Sequence, residues 1–148
     1  MHTVTFSTVL PCSQDKAFAF HCDTQNLPLI TPPWIDVTIK KLVLPLNEGS
    51  RIDLVISRWG LPQRWNMEIE TLSAPYKVVD KAIDSPFAFF RHTHSFERID
   101  GAHTYMVDTV EFKLPLWPLS WVALWFVKKD LEKMFDYRHA RTSLLLEK

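Results

Sequence analysis

The sequence predicts an α+β fold: a curved antiparallel sheet of about six to seven strands wrapped around a long C-terminal helix, with two short helices after the first strand. Three observations carry this. Apolar and polar residues alternate along successive short runs joined by turns, and the long crossovers that parallel strands need are absent. Beyond Ser120 the apolar period changes from two to 3.6. The three glycines, Gly49, Gly60 and Gly101, all fall between runs and interrupt none.

The elements follow in order. Thr3 to Leu10 alternates and reads as a strand ending at Pro11. Ser13 is placed to cap a helix from Gln14 to Cys22 whose Ala17, Phe18 and His21 share one face. Asp23 can cap a second short helix that Thr31-Pro32-Pro33 must stop at Ile30. Six runs come next: Trp34 to Leu44, Arg51 to Trp59, Arg64 to Leu72, Tyr76 to Ile83, Ala88 to Ile99 and Ala102 to Leu114. Asn47-Glu48-Gly49 and Asp100-Gly101 are hairpin signals between them. Leu124, Val127, Leu131, Met134, Phe135 and Arg138 then form one stripe of a helix running to about Leu145, which must lie on an apolar surface. A strongly curved sheet cannot touch a straight helix along its whole length. The gap becomes a cavity, the usual kind of place for a ligand.

Composition narrows the function. Lys plus Arg and Asp plus Glu both number 17, giving a net charge of zero with no long block of one sign, which argues against nucleic acid as a partner. The apolar run Leu114 to Val127 is broken by Pro115 and Pro118. At about 14 residues it falls short of the about 20 that cross a bilayer, so no transmembrane segment is expected. Cys12 and Cys22 are expected to be reduced thiols in a cytoplasmic protein. No repeat, linker or low-complexity tract appears, so residues 1–148 are expected to form one domain.

Polar groups sit inside the apolar rows. Strand alternation puts Phe90, His92, His94 and Phe96 on one face, and Met106, Asp108, Val110 and Phe112 on one face of the next strand. By the same parity Arg58 follows Ile52, Leu54 and Ile56, Asp80 follows Val78, and Trp65 and Met67 share a face with Ile69. Buried histidines and carboxylates must find hydrogen bonds, a ligand or a metal. His-x-His on a strand aims both rings one way, and a carboxylate on an adjacent strand could be a third metal ligand. His21, His103 and His139 offer no third histidine at suitable spacing, so no metal or cofactor is expected. A histidine positioned by Asp80 or Asp108 could instead act as a general acid or base. The reading adopted is a structural His–Asp network that closes the sheet around an apolar pocket. The catalytic assignment stays unknown, with His92, His94 and Asp108 as candidates.

Tryptophans 117, 121 and 125 recur every four residues before the long helix. They read as core filling at the wide end of the wedge, as a gate formed by Pro115 to Trp121, or, beside Lys128-Lys129, as contacts to membrane or a second subunit.

In this order the chain resembles the START-like, or SRPBCC, superfamily of helix-grip domains, which includes polyketide cyclases, Bet v 1-like pathogenesis-related proteins and lipid-transfer domains. Within it the chain looks like a bacterial ligand-binding subgroup. The resemblance is carried by Asn26-Leu-Pro with Thr31-Pro-Pro-Trp34, by Trp65, by Tyr76-Lys-Val-Val-Asp80, by Pro86-Phe87 and by His92-Thr-His94-Ser-Phe96. Thr104-Tyr-Met-Val-Asp108-Thr-Val110 and Met134-Phe-Asp-Tyr-Arg138 complete it. The chain departs at Ser85, where a glycine is usual, and at Phe90, where a tryptophan is common. The resemblance implies binding of a hydrophobic or amphipathic small molecule (a lipid, polyketide or aromatic metabolite) without turnover, by a monomer or homodimer. The alternatives are a cyclase- or dehydratase-like enzyme and an interaction or stress-regulatory module with no small ligand. The expected lining is Arg58, Trp65, Met67, Asp80, Phe90 and His92, then His94, Phe96, Met106, Asp108, Trp121 and Trp125. Peripheral membrane contact through Trp117 and Trp121 is a further expectation.

Overall fold

The structure, a computed structural model, describes residues 1–58, 60–115 and 120–147. The elements are β1 (His2–Leu10), α1 (Gln14–His21), a 3-10 helix (Thr24–Ile30), β2 (Ile35–Lys41), β3 (Arg51–Arg58), β4 (Leu61–Ser73), β5 (Lys77–Asp84), β6 (Phe89–Asp100), β7 (His103–Lys113) and α2 (Ser120–Leu146). All seven strands form one antiparallel sheet in the order β1-β7-β6-β5-β4-β3-β2. Strands β2 to β7 are therefore a meander, and β1 returns to its far edge beside β7.

Local chemistry explains the boundaries. Ser13 caps α1 by accepting from the Lys16 amide, and Asp23 accepts from the Gln25 amide to start the helix after it. That helix is 3-10 rather than α, with Pro28, which has no N–H to donate, inside it. Gly60 turns the chain at φ 76°, which favours glycine, so β4 begins at Leu61 rather than at Arg64. Pro62 is tolerated there because β5 pairs with β4 only from Asn66 onward, leaving the start of β4 a sheet edge.

Parity holds where it matters. Along β7 Thr104, Met106, Asp108, Val110 and Phe112 are all buried. Met106 belongs to one apolar cluster, with Phe18, Ile52, Met67 and Phe96, while Val110 and Phe112 belong to a second, with Leu131 and Phe135 of α2. Asp108 stands between the two on the same strand.

Helix α2 buries Leu131, Phe135, His139, Thr142 and Leu146, a stripe at spacings of four and three that faces the sheet. Phe135 stacks on Phe6 of β1 at 4.8 Å between ring centroids, and fully burying such a side chain is worth about 1.5–3 kcal/mol. An ion pair between Arg58 and Asp130 ties the end of β3 to the same helix. Trp121 and Trp125 do not fill the wedge. They are 73% and 58% exposed, near the start of α2. Trp59 and Trp117 lie outside the described residues, as do residues 116–119 of the segment Pro115 to Trp121, for which a gate was one reading. Cys12 and Cys22 are free thiols, both raised in pKa by burial, Cys22 to about 11. Among the described residues no helix is long and apolar enough to cross a membrane.

Candidate functional site

Sheet register brings the polar groups together. Asp80 on β5 stands opposite His92 on β6, and His94 stands opposite Asp108 on β7. The two imidazoles thus lie side by side between two carboxylates, their centroids 3.8 Å apart and their planes tilted by 35°. Helix α2 adds a third ring from above: His139 Nε2 donates to Asp108 Oδ2 at 2.6 Å, while His92 Nε2 donates to Oδ1 at 2.8 Å. His94 Nδ1 is 3.1 Å from Oδ1 but is misaligned for a hydrogen bond, so this contact is an ion pair. Asp108 itself is 1% exposed.

These contacts fix charge. Burial works against an ionised Asp108, but the hydrogen bonds from His139 and His92 and the contact with His94 outweigh it and hold its carboxyl well below the usual range. Burial likewise opposes a charged His94, yet Asp108 and Asp80 on either side raise it to about 9. The same balance lowers Asp80. His92 is lowered by burial and by the neighbouring His94 charge, and as a neutral ring donating from Nε2 it keeps a lone pair on Nδ1. His21 Nδ1 is 2.8 Å from the Ala17 carbonyl, and burial lowers the ring to about 4.

A cavity of about 100 Å³ opens on this network. Its sheet wall is Ile52, Leu54, Met67, Ile69 and Val78, and its helical lip includes Phe20, Leu27 and Ile30. Its polar lining is Asp80, His92 and His94 on the sheet with His21 of α1 and Arg138 of α2, together with Asp23, Thr24 and Asn26 at the helical lip. Arg138 makes no ion pair among the described residues, and its buried Nε has no hydrogen-bond partner. Its guanidinium packs over the Phe135 ring at 5.1 Å. Burial lowers its pKa while Asp108 and Asp80 hold it up.

Of the expected lining, Met67, Asp80, His92 and His94 reach the cavity. The other eight do not. Arg58 is engaged by Asp130, with Met134 Sδ beside it. Trp65 and Phe90 pack edge to face at 5.0 Å in an aromatic group with Phe87. Phe96 is held against Phe18 and His21, and Met106 is wholly enclosed in the core. Asp108 lies behind the histidines, and Trp121 and Trp125 face outward. Three site residues were not expected. Arg138 was expected only as a member of the helix stripe, and His21 and His139 lacked the spacing expected of a partner to the strand histidines. His139 continues the Leu131–Phe135 spacing of four, and His21 shares the Ala17–Phe18 face, so both signals were present in the pattern.

A curved antiparallel sheet that grips a long C-terminal helix is the START-like fold. Residues 10–136 match the family model described as polyketide cyclase/dehydrase and lipid transport, and the chain belongs to this family. None of the curated proteins matches the sequence. Among solved structures, the Zhui aromatase/cyclase from Streptomyces sp. R1128 superposes with a TM-score of 0.79 at 14% identity, over 99% of this chain and 93% of that one. A START superfamily protein from Mycobacterium smegmatis gives 0.71 at 16% identity, over 98% and 99% of the two chains. Ara h 8.0201 gives 0.67 at 16% identity, over 95% and 97%. At such identities the likeness is one of fold.

Proposed function

We propose that the protein binds a small, largely apolar molecule through its polar end, in the cavity between sheet and helices. The observation that carries this is Arg138: its buried Nε has no hydrogen-bond partner, and among the described residues no carboxylate comes within ion-pair distance of it, although Asp80 and Asp108 lie near enough to favour its charge, where it lines a largely apolar pocket. A buried cation in that state is costly unless a bound oxygen meets it. Size limits the ligand. An apolar cavity of about 150 Å³ takes benzene, whereas drug-sized ligands need about 300 Å³ or more. At about 100 Å³ the pocket as it stands suits a short chain bearing a carboxylate or ketone oxygen, and it takes one aromatic ring such as benzoate or a phenol only after its walls relax slightly. A lipid or a multi-ring polyketide fits only if the lip formed by Phe20, Leu27 and Ile30 moves outward. Calorimetric titration with benzoate and phenols tests the reading. Arg138→Met is expected to weaken benzoate about tenfold or more, the value of a hydrogen bond to a charged group. Equal affinity in wild type and variant would remove Arg138 as the anchor.

A second reading is turnover of a carbonyl ligand by cyclase- or dehydratase-like acid–base chemistry. It is favoured by His92, whose Nε2 is held by Asp108 so that Nδ1 faces Asp80 on the cavity wall, the arrangement a general base needs. Asp108 would then be a positioning residue. Turnover that survives His92→Gln would sink this reading.

A further inference from the structure

The cavity wall that carries the two strand histidines leaves three ligand-type atoms facing one another without a good hydrogen bond among them. Asp80 Oδ1 lies 3.9 Å from His92 Nδ1 and 3.6 Å from His94 Nε2, and although buried it has no hydrogen-bond partner. Hydrogen bonds of this type close at about 2.7–3.2 Å. The gaps fit a different occupant. Two ligand atoms held about 2.0–2.1 Å from one tetrahedral ion stand about 3.3–3.4 Å apart, so the two contacts of Asp80 would close by roughly 0.2–0.6 Å around an ion. All three atoms lie within 4.8 Å of one another.

The far side of each ring is already arranged for this. Asp108 takes the Nε2–H of His92 and lies beside Nδ1 of His94, which turns the opposite nitrogen of each ring toward Asp80. A carboxylate behind a ligating imidazole sets its tautomer and orientation and raises its basicity. We propose that Asp80 Oδ1, His92 Nδ1 and His94 Nε2 form a site for a divalent first-row cation, with two imidazoles and one carboxylate as protein ligands and the remaining positions open to the cavity. Zinc and iron(II) match that donor set best. His94 carries a proton on Nε2 in the metal-free protein, and that proton leaves to solvent as the ion binds, so binding should tighten as pH rises. With it gone the charges are compatible: Asp80 and Asp108 balance the ion, His139 stays hydrogen-bonded to Asp108, His21 lines the cavity opposite, and Arg138 is left to meet an anionic ligand. The sequence reading named a carboxylate on an adjacent strand as a possible third ligand but expected no metal; Asp80, opposite His92 on β5, takes that place.

The inference does not depend on the organic ligand and is tested without one. Chelator-stripped protein is titrated with zinc chloride by calorimetry and with cobalt(II) chloride by visible absorbance. One equivalent should bind, cobalt should give the intense band of a four-coordinate site, and Asp80→Asn and His94→Gln should each weaken binding at least about tenfold. His103→Gln, on the exposed turn, should change nothing. Side-chain nitrogen NMR of the wild type decides the matter if either variant fails to fold: zinc must move the His92 and His94 resonances and not only those of His2 and His103. Absence of binding at millimolar metal, binding indifferent to Asp80→Asn and His94→Gln, or shifts confined to His2 and His103 would overturn the proposal.

Discussion

Replacing Asp108 by asparagine alters one atom at the junction of the two apolar clusters and tests whether the network carries stability. The carboxylate accepts from His92 at 2.8 Å and from His139 at 2.6 Å, and it faces the charged His94 at 3.1 Å. Asparagine keeps one acceptor oxygen and turns an NH2 group toward a ring N–H, so one bond is lost and two donors confront each other. A hydrogen bond to a charged acceptor is worth about 1.5–3 kcal/mol, and breaking a buried charge pair costs about 3–5 kcal/mol. The expected loss is therefore about 3–5 kcal/mol out of a total stability of about 5–15 kcal/mol. For a chain of this size that is a fall in Tm of roughly 6–20 °C. Urea denaturation of metal-free protein measures it, and NMR titration of His94 should show its pKa falling from about 9 once one flanking carboxylate is gone. A loss below about 1 kcal/mol, with His94 unchanged, would refute the reasoning.

Arg138→Met should leave the ligand-free protein as stable as before or up to about 2 kcal/mol more stable, because an unpartnered buried charge is removed; a loss of more than 2 kcal/mol by urea denaturation would mean the guanidinium has a structural partner. Phe135→Ala should cost about 3–5 kcal/mol, since the ring is 1% exposed between Phe6 and His92, and a cost under 1 kcal/mol would contradict the packing. The stability of the metal-free protein should peak near pH 6.5. His94, raised in the fold, contributes stability that is complete below about pH 6.5 and lost as pH climbs through about 9; His21, lowered to about 4, refuses a proton that the unfolded chain takes, so stability also falls from about pH 6.5 toward 4. Asp80 and Asp108, both lowered, add a further loss as pH drops below about 3.8, and denaturation midpoints that stay flat from pH 4 to 9 would contradict this balance.

Much of the architecture was legible because strands and helices announce themselves through period. The alternation of Met106, Asp108, Val110 and Phe112 put an aspartate among core residues, and the same alternation placed His92 and His94 on the opposing strand. Register, which decides which of these residues meet, was not legible. Nothing local states that Asp80 pairs with His92, or that Trp65 and Phe90 would fill space against Phe87 rather than line the cavity. Parity selects a face but not the depth along it, and the depth separated Met67 at the cavity from Met106 in the closed core. The helix contribution was missed for a related reason. Arg138 and His139 are neighbours in sequence, yet the first reaches the cavity and the second reaches Asp108, and only the rotation of α2 on the sheet decides which does which. Trp121 and Trp125 show the opposite error, where aromatic size suggested core and the helix turned them to solvent.

The central claim is that this small cavity, with Arg138 and the strand histidines on its wall, is a binding site. Methyl-detected NMR with benzoate tests it most directly. Saturable shifts at Ile52, Ile69, Met67 and Ile30, which line the cavity, with none at the exposed Ile83 and Ile99, are the result expected. Shifts at no methyl group, or equal shifts at the exposed isoleucines, would contradict the account.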